Sequence, residues 1–168
     1  MTTMDGKTRI QFEKTLDELA NGLDKEVDSI ARDCAQVFNA PRPGARDEDK
    51  DKDRQADGRA QMNNLERAGF TSRRFGDVVA FVKRQTGKDK RWQMQANGAM
   101  LGVRVVELLE KVKKAADEKT PDAAESKDGA PAVSATLSPY RNELRLRLAA
   151  LCLRNLNSGY LFNTVAGK

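Results

Sequence analysis

Between Thr8 and Asn39 apolar side chains return every three or four residues: Phe12, Leu16, Leu19, Leu23, Val27, Ile30, Cys34 and Val37. That spacing follows the turn of an α-helix and not the alternation of a strand, so the chain is committed to a long helix whose single apolar stripe must be covered. The register is close to a heptad, which makes a coiled-coil-like contact with a partner helix one possible cover, with Gly22 a tolerated weak point. Pro41, Pro43 and Gly44 end the segment.

The same period recurs downstream. A short helix around Arg59–Arg67 carries Met62 and Leu65 and stops at Gly69. Thr71 or Ser72 then reads as the N-cap of a helix bearing Phe75, Val78, Val79 and Val82, which ends at Gly87. A second long helix is expected from Asp89 to Ala116, with Trp92, Ala96, Ala99, Val103, Val106, Leu109 and Val112 on its buried side. Gly98 and Gly102, four apart on it, would permit a close helix crossing or mark a kink. Ser138 before Pro139 opens a last helix to about Val165. It has one stripe of Leu144, Leu148, Leu151 and Phe162 and another of Leu146, Ala149, Leu153, Leu156 and Tyr160. A helix apolar on two sides sits centrally in a bundle or is shared with a neighbouring subunit. No strand pattern is read, and the fold class that follows is an all-α bundle of about five helices.

Two stretches stand outside the pattern. Residues 45–57, ARDEDKDKDRQAD, hold nothing apolar larger than alanine, and residues 117–137 are rich in Ala, Asp, Glu, Pro and Ser. Neither can bury enough surface to offset the entropy of ordering, so both read as charged, disordered inserts. A calcium loop at Asp47, Asp49, Asp51 and Asp53 lacks the central glycine and terminal glutamate of an EF-hand. The expected organisation is an N-terminal amphipathic helix over 1–40, a charged linker over 41–57, and a basic helical domain over 58–168 interrupted by the 117–137 insert.

Histidine is absent, which removes the usual Ser/His/Asp and Cys/His arrangements. Cys34 and Cys152 fall on apolar helix sides, away from any Cys or His grouping that could hold zinc, and read as small buried hydrophobes. Paired acids occur on the first helix, Glu13 with Asp17 and Asp24 with Asp28, without the ExxH pattern of a carboxylate-bridged metal site. Glu107 with Lys111 and Glu110 with Lys114 read as surface pairs. Phosphate-cradling GxxxxGK[ST] and GxGxxG motifs are missing. The expectation is therefore a protein that binds rather than catalyses, with no metal and no cofactor. The longest apolar run, Leu148 to Leu153, is far short of the ~20 residues a bilayer needs. With a polar start over Met1–Arg9, the expected location is cytoplasmic.

Charge is segregated along the chain. Residues 1–57 carry ten basic and fourteen acidic side chains, whereas 58–116 carry thirteen against five and 138–168 five against one. The densest cluster is Arg73, Arg74, Lys83, Arg84, Lys88, Lys90 and Arg91; Arg141 and Arg145 join it if the last helix packs antiparallel to the one before, and Arg104 lies further along. Such a face attracts a polyanion by counterion release. The plainer reading is a solvated surface that serves solubility, or one that the acidic inserts cover. Trp92 follows Lys90 and Arg91 and could stack on a base, although its spacing from Ala96 and Ala99 suits a core anchor better. With so few aromatics, backbone contact is expected rather than base reading.

From about Leu65 onward the chain resembles the small helical subunits of type III CRISPR effector complexes. The likeness lies in a basic helix start (Phe70, Thr71, Ser72, Arg73, Arg74, Phe75) and in a long helix with Gln95, Ala96, Asn97 and Gly98 ahead of Val103 to Val112. A last helix then ends in Ser158, Gly159, Tyr160, Leu161 and Phe162. It implies a non-catalytic subunit of an antiviral ribonucleoprotein, stacked in several copies and touching RNA or an RNA duplex backbone through Arg73, Arg74, Lys83, Arg84, Lys88 and Arg91. The long first helix and both charged inserts depart from the family's compact pattern. Two other readings stand beside it. One is a helical adaptor whose first helix pairs with a partner and whose basic face meets an acidic protein. The other is a helix-turn-helix regulator built around Gly69, for which mainly valine follows Arg74 where base-reading side chains should stand.

Overall fold

Asp5, in extended conformation, accepts a 2.7 Å hydrogen bond from the Thr8 amide and so caps α1, Gly6–Asn39. The computed structural model describes residues 3–40, 50–121 and 136–166. After α1 come α2 (Lys50–Thr71), α3 (Phe75–Lys88), α4 (Leu101–Lys119) and α5 (Arg141–Ala166). A 3-10 turn over Lys90–Gln93 and a small hairpin, β1 Gln95–Ala96 against antiparallel β2 Ala99–Met100, separate α3 from α4; a second 3-10 turn, Ser138–Tyr140, leads into α5. The described chain is an all-α bundle, as its periodicity requires.

The stripe of α1 is consumed inside that bundle. Phe12, Leu16, Val27, Ile30, Cys34 and Val37 are buried, and they pack mainly on α5, whose Leu144, Leu148, Ala149, Cys152, Leu153, Leu156 and Tyr160 are buried too. α5 touches each of the other four helices. Its two apolar sides therefore make it the central helix, and each fully buried leucine contributes roughly 1.5–3 kcal/mol. Phe162 alone leaves its expected stripe and is exposed. All five helices feed one core, so the first helix is not a separate arm. Both cysteines are free and buried, as expected.

Several boundaries differ from the sequence reading. The long helix expected from Asp89 to Ala116 is broken, and its middle is the hairpin. Asn97 (φ 52°) and Gly98 (φ 81°) both take left-handed backbone conformations, the pair that a two-residue hairpin turn demands. With the helix restarting at Leu101, its buried side becomes Leu101, Val105, Leu108, Leu109, Val112 and Ala116; Val103 is exposed and Val106 only partly buried. Gly102 does serve a close crossing, since a Cβ there would lie 2.6 Å from Thr86 of α3. Trp92 is a core anchor, 1% exposed, with its ring 5.0 Å from Phe38 and its indole N–H donating to Gln61 at 3.3 Å.

The charged linker read over 41–57 is helical from Lys50, and residues 41–49 lie outside the described part. Helix nucleated by the packed Met62 and Leu65 extends back through Lys, Arg, Gln and Ala, which propagate helix without needing burial. At its other end α2 does not stop at Gly69. A Cβ there would fall 2.9 Å from the Ala150 backbone, so Gly69 admits α5 rather than ending a helix. Thr71 and Ser72 do not cap α3: the Thr71 hydroxyl donates back to the Arg67 carbonyl, and the N-cap position is Arg74, without a side-chain cap. Of the 117–137 insert, Asp117–Lys119 belongs to α4 and Thr120 and Leu137 are buried, while 122–135 lies outside the described residues. Lys111 pairs with Glu26 of α1 at 2.7 Å, because α1 lies alongside and offers a carboxylate.

Candidate nucleic-acid interface

The ten basic side chains singled out in the sequence divide into two groups. Arg73, Arg74, Lys83, Arg84, Lys88 and Lys90 are exposed, and none has an ion-pair partner among the described residues. They lie on the α2–α3 turn, on α3 and just beyond its end. α3 is amphipathic, with Phe75, Val78 and Val82 in the core, so its basic positions are necessarily directed outward.

The other four are structural. Arg91 donates to both oxygens of Asp89 (3.1 and 2.6 Å) and to Asp57 (3.0 Å), and its guanidinium lies 5.0 Å from the centre of the Phe38 ring. Hydrogen bonding to Asp89 raises its pKa further, so it is a fixed cation. Arg104 is paired with the buried Asp33 and donates to the Ser29 hydroxyl at 3.1 Å, locking α4 to α1. Arg141 donates to the Thr120 carbonyl (2.8 Å) and hydroxyl (3.2 Å), holding the end of α4 against the start of α5. Arg145 pairs with Asp117 at 2.5 Å. These four are removed from the expected set of phosphate contacts in their own right, because each is already hydrogen-bonded between elements.

Arg145 nevertheless shares a cleft with two of the free cations. α3, α4 and α5 wall an open cleft of about 660 Å³ that is lined by Arg74, Lys83, Lys113 and Arg145, with Glu110 and Asn142. Its apolar side is Phe75, Val79 and Ala80. The expected antiparallel approach of the last two helices thus brings Arg145 to Arg74 and Lys83, but leaves Arg141 behind on Thr120. Lys113 is the member that sequence reasoning missed. The signal for it was its place directly after Val112, since Leu109 and Val112 are buried and the next residue falls on the flank of the helix. The uncapped start of α3 at Arg74 and Phe75 borders the same cleft, and the unpaired amides of a helix N-terminus favour negative charge.

Among the described residues no group of three or more His, Cys, Asp or Glu side chains could hold a metal ion, and no helix is long and apolar enough to cross a membrane. The described chain is, by class, an all-α bundle with exposed basic side chains along α3 and at both its ends. No family model, curated protein or solved structure matches it.

Proposed function

We propose that this chain is a non-catalytic protein that binds the sugar-phosphate backbone of nucleic acid, RNA before DNA, as a cytoplasmic subunit of a ribonucleoprotein assembly. The single observation that carries the reading is the corner formed by the α2–α3 turn and α3: six exposed cations unpaired within the described chain. Exposed cations without carboxylate partners bind phosphates by releasing condensed counterions, and base edges need not be read. Trp92 is buried and cannot stack on a base, which leaves Phe70, exposed at the end of α2, as the aromatic beside this corner.

The likeness to the small subunits of type III CRISPR complexes supports the same role through the order of the later helices. It is weakened at Gln95–Gly98, which lie in a hairpin rather than a helix. An adaptor whose first helix pairs with a partner loses its main feature, because α5 already covers that stripe. A base-reading helix-turn-helix is disfavoured by Gly76, Asp77 and Ala80 on the exposed side of α3.

The test is binding to single-stranded RNA, RNA duplex and DNA duplex across a salt series. Sequence-independent binding is expected, weakening with a slope of about 0.7 per phosphate contact on single strands and about 0.9 on duplex DNA. Charge reversal at Arg73, Arg74, Arg84 and Lys88 together should abolish most of it. Undetectable or salt-insensitive binding would refute the reading and return the basic corner to a solvated or acidic-protein-binding surface.

A further inference from the structure

The cleft between α3, α4 and α5 differs in kind from the rest of the basic corner. Arg84 and Lys88 do not line it; they stand on a convex helix surface of the sort that follows a strand's backbone. The cleft is an open hollow, and its cations converge on it from separate elements: Arg74 at the N-cap of α3, Lys83 on α3, Lys113 on α4 and Arg145 on α5. Only Arg145 is paired, with Asp117, and Glu110 is the one carboxylate in the lining. Like charges held together in this way leave an unbalanced positive potential that a compact anion relieves.

We propose that the cleft receives the terminal phosphate of a nucleic-acid strand, an inference that rests on the backbone-binding reading above. An internal phosphodiester carries one negative charge and must enter and leave on its chain. A terminal monoester has one attachment and carries about −1.5 to −2 charge at neutral pH with three acceptor oxygens. That charge suits three unpaired cations, and the single attachment suits a cleft walled by three helices. The volume of about 660 Å³ leaves room for the last nucleotide as well. Phe75, Val79 and Ala80 offer apolar surface to its sugar or base, and Asn142 adds a neutral hydrogen-bonding group at the rim.

The shared chemistry is a phosphomonoester, which a free phosphate would also present, so the experiment separates the two. The full chain is titrated against one short RNA in three forms: hydroxyl at both ends, 5′-phosphate, and 3′-phosphate. Inorganic phosphate is added as a competitor and, separately, in a thermal melt. One phosphorylated form should bind about tenfold tighter than the hydroxyl form, the scale of one added charge-assisted hydrogen bond. The preference should vanish in Lys113→Ala, return in Lys113→Arg, and survive Arg84→Ala, which lowers affinity for all three strands alike. Lys113 is exposed, so these variants should fold. Equal affinity for the three strands, or a preference that persists in both Lys113→Ala and Lys113→Glu, overturns the proposal. Stabilisation by inorganic phosphate without strand preference overturns it too, by assigning the cleft to a free anion. If the hydroxyl strand fails to bind while a phosphorylated one succeeds through Lys113, the cleft stands and the backbone reading falls.

Discussion

Replacing Asp33 by alanine tests whether Arg104 belongs to the scaffold or to the binding surface. Asp33 is 4% exposed, on the core side of α1; its carboxylate pairs with Arg104 of α4 and accepts a 2.8 Å hydrogen bond from the side-chain Nδ2 of Asn97 in the hairpin turn. Removing it strands a guanidinium whose side chain is 16% exposed, while the exposed Asn97 exchanges one hydrogen bond for water. Breaking a buried pair from one side costs about 3–5 kcal/mol, and the residual exposure of Arg104 places this case near the lower end. For a chain of this length, 3 kcal/mol corresponds to a fall in Tm of roughly 6–12 °C. The double variant Asp33→Leu/Arg104→Met removes both charges, and should recover most of that loss because apolar replacements of similar size are close to neutral. Thermal and urea unfolding of Asp33→Leu, Arg104→Met, the double variant and the parent give the coupling directly. The reasoning fails if Asp33→Ala melts within about 2 °C of the parent, the range of an ordinary surface change. It fails also if the well-folded double variant loses RNA affinity, since Arg104 would then be a ligand contact.

Three further outcomes follow from the geometry. Burial raises both cysteine thiols, Cys152 to about 12 with a smaller contribution from Asp24, so neither forms thiolate at neutral pH; a thiol reagent should label no cysteine in the native protein and both after denaturation. Asp5 has its pKa lowered from 3.8, chiefly by the Thr8 backbone amide. Its capping stabilisation is therefore complete above that value and lost as pH falls through the folded pKa. Asp5→Ala should melt below the parent at pH 7, and the gap should narrow progressively as the pH is taken below 3.8. Gly102→Ala forces a methyl to within 2.6 Å of Thr86, and should cost about 1–3 kcal/mol in unfolding free energy as overpacking between α3 and α4.

The helical class, the buried side of α1, the central place of the last helix and the burial of both cysteines were legible because each rests on apolar periodicity over many turns. The break before α4 was not read, since alanines on either side of Asn97–Gly98 continued a plausible helical stripe. Local turn chemistry outweighed that stripe: an Asn-Gly pair adopts left-handed backbone at little cost, whereas both residues are weak helix formers. The start of α2 failed for the opposite reason. A composition that cannot form a core by itself still extends a helix that packing has already nucleated, so absence of apolar residues did not mean absence of structure.

Which of the candidate basic side chains are free and which are tied into the fold was not legible in the sequence, and the difference follows from side-chain chemistry. All four cations withdrawn from the expected set are arginines: Arg91, Arg104, Arg141 and Arg145. Every lysine in it, Lys83, Lys88 and Lys90, stays exposed and unpaired among the described residues. A guanidinium presents five donors in a rigid fork and sheds water more readily than an ammonium, so it can join helices at half-buried positions where a carboxylate or carbonyl waits. Arg91 does this between Asp89, Asp57 and the Phe38 ring, and Arg141 between α5 and Thr120. A lysine at such a place would give up more hydration for fewer directed bonds. Sequence counts both residue types as one unit of positive charge, yet packing sorts them. The unpaired cations that remain of the expected set lie on the α2–α3 turn, on α3 and just past its end, and Lys113, next to the buried Val112 on the flank of α4, lines the same cleft as Arg74 and Lys83.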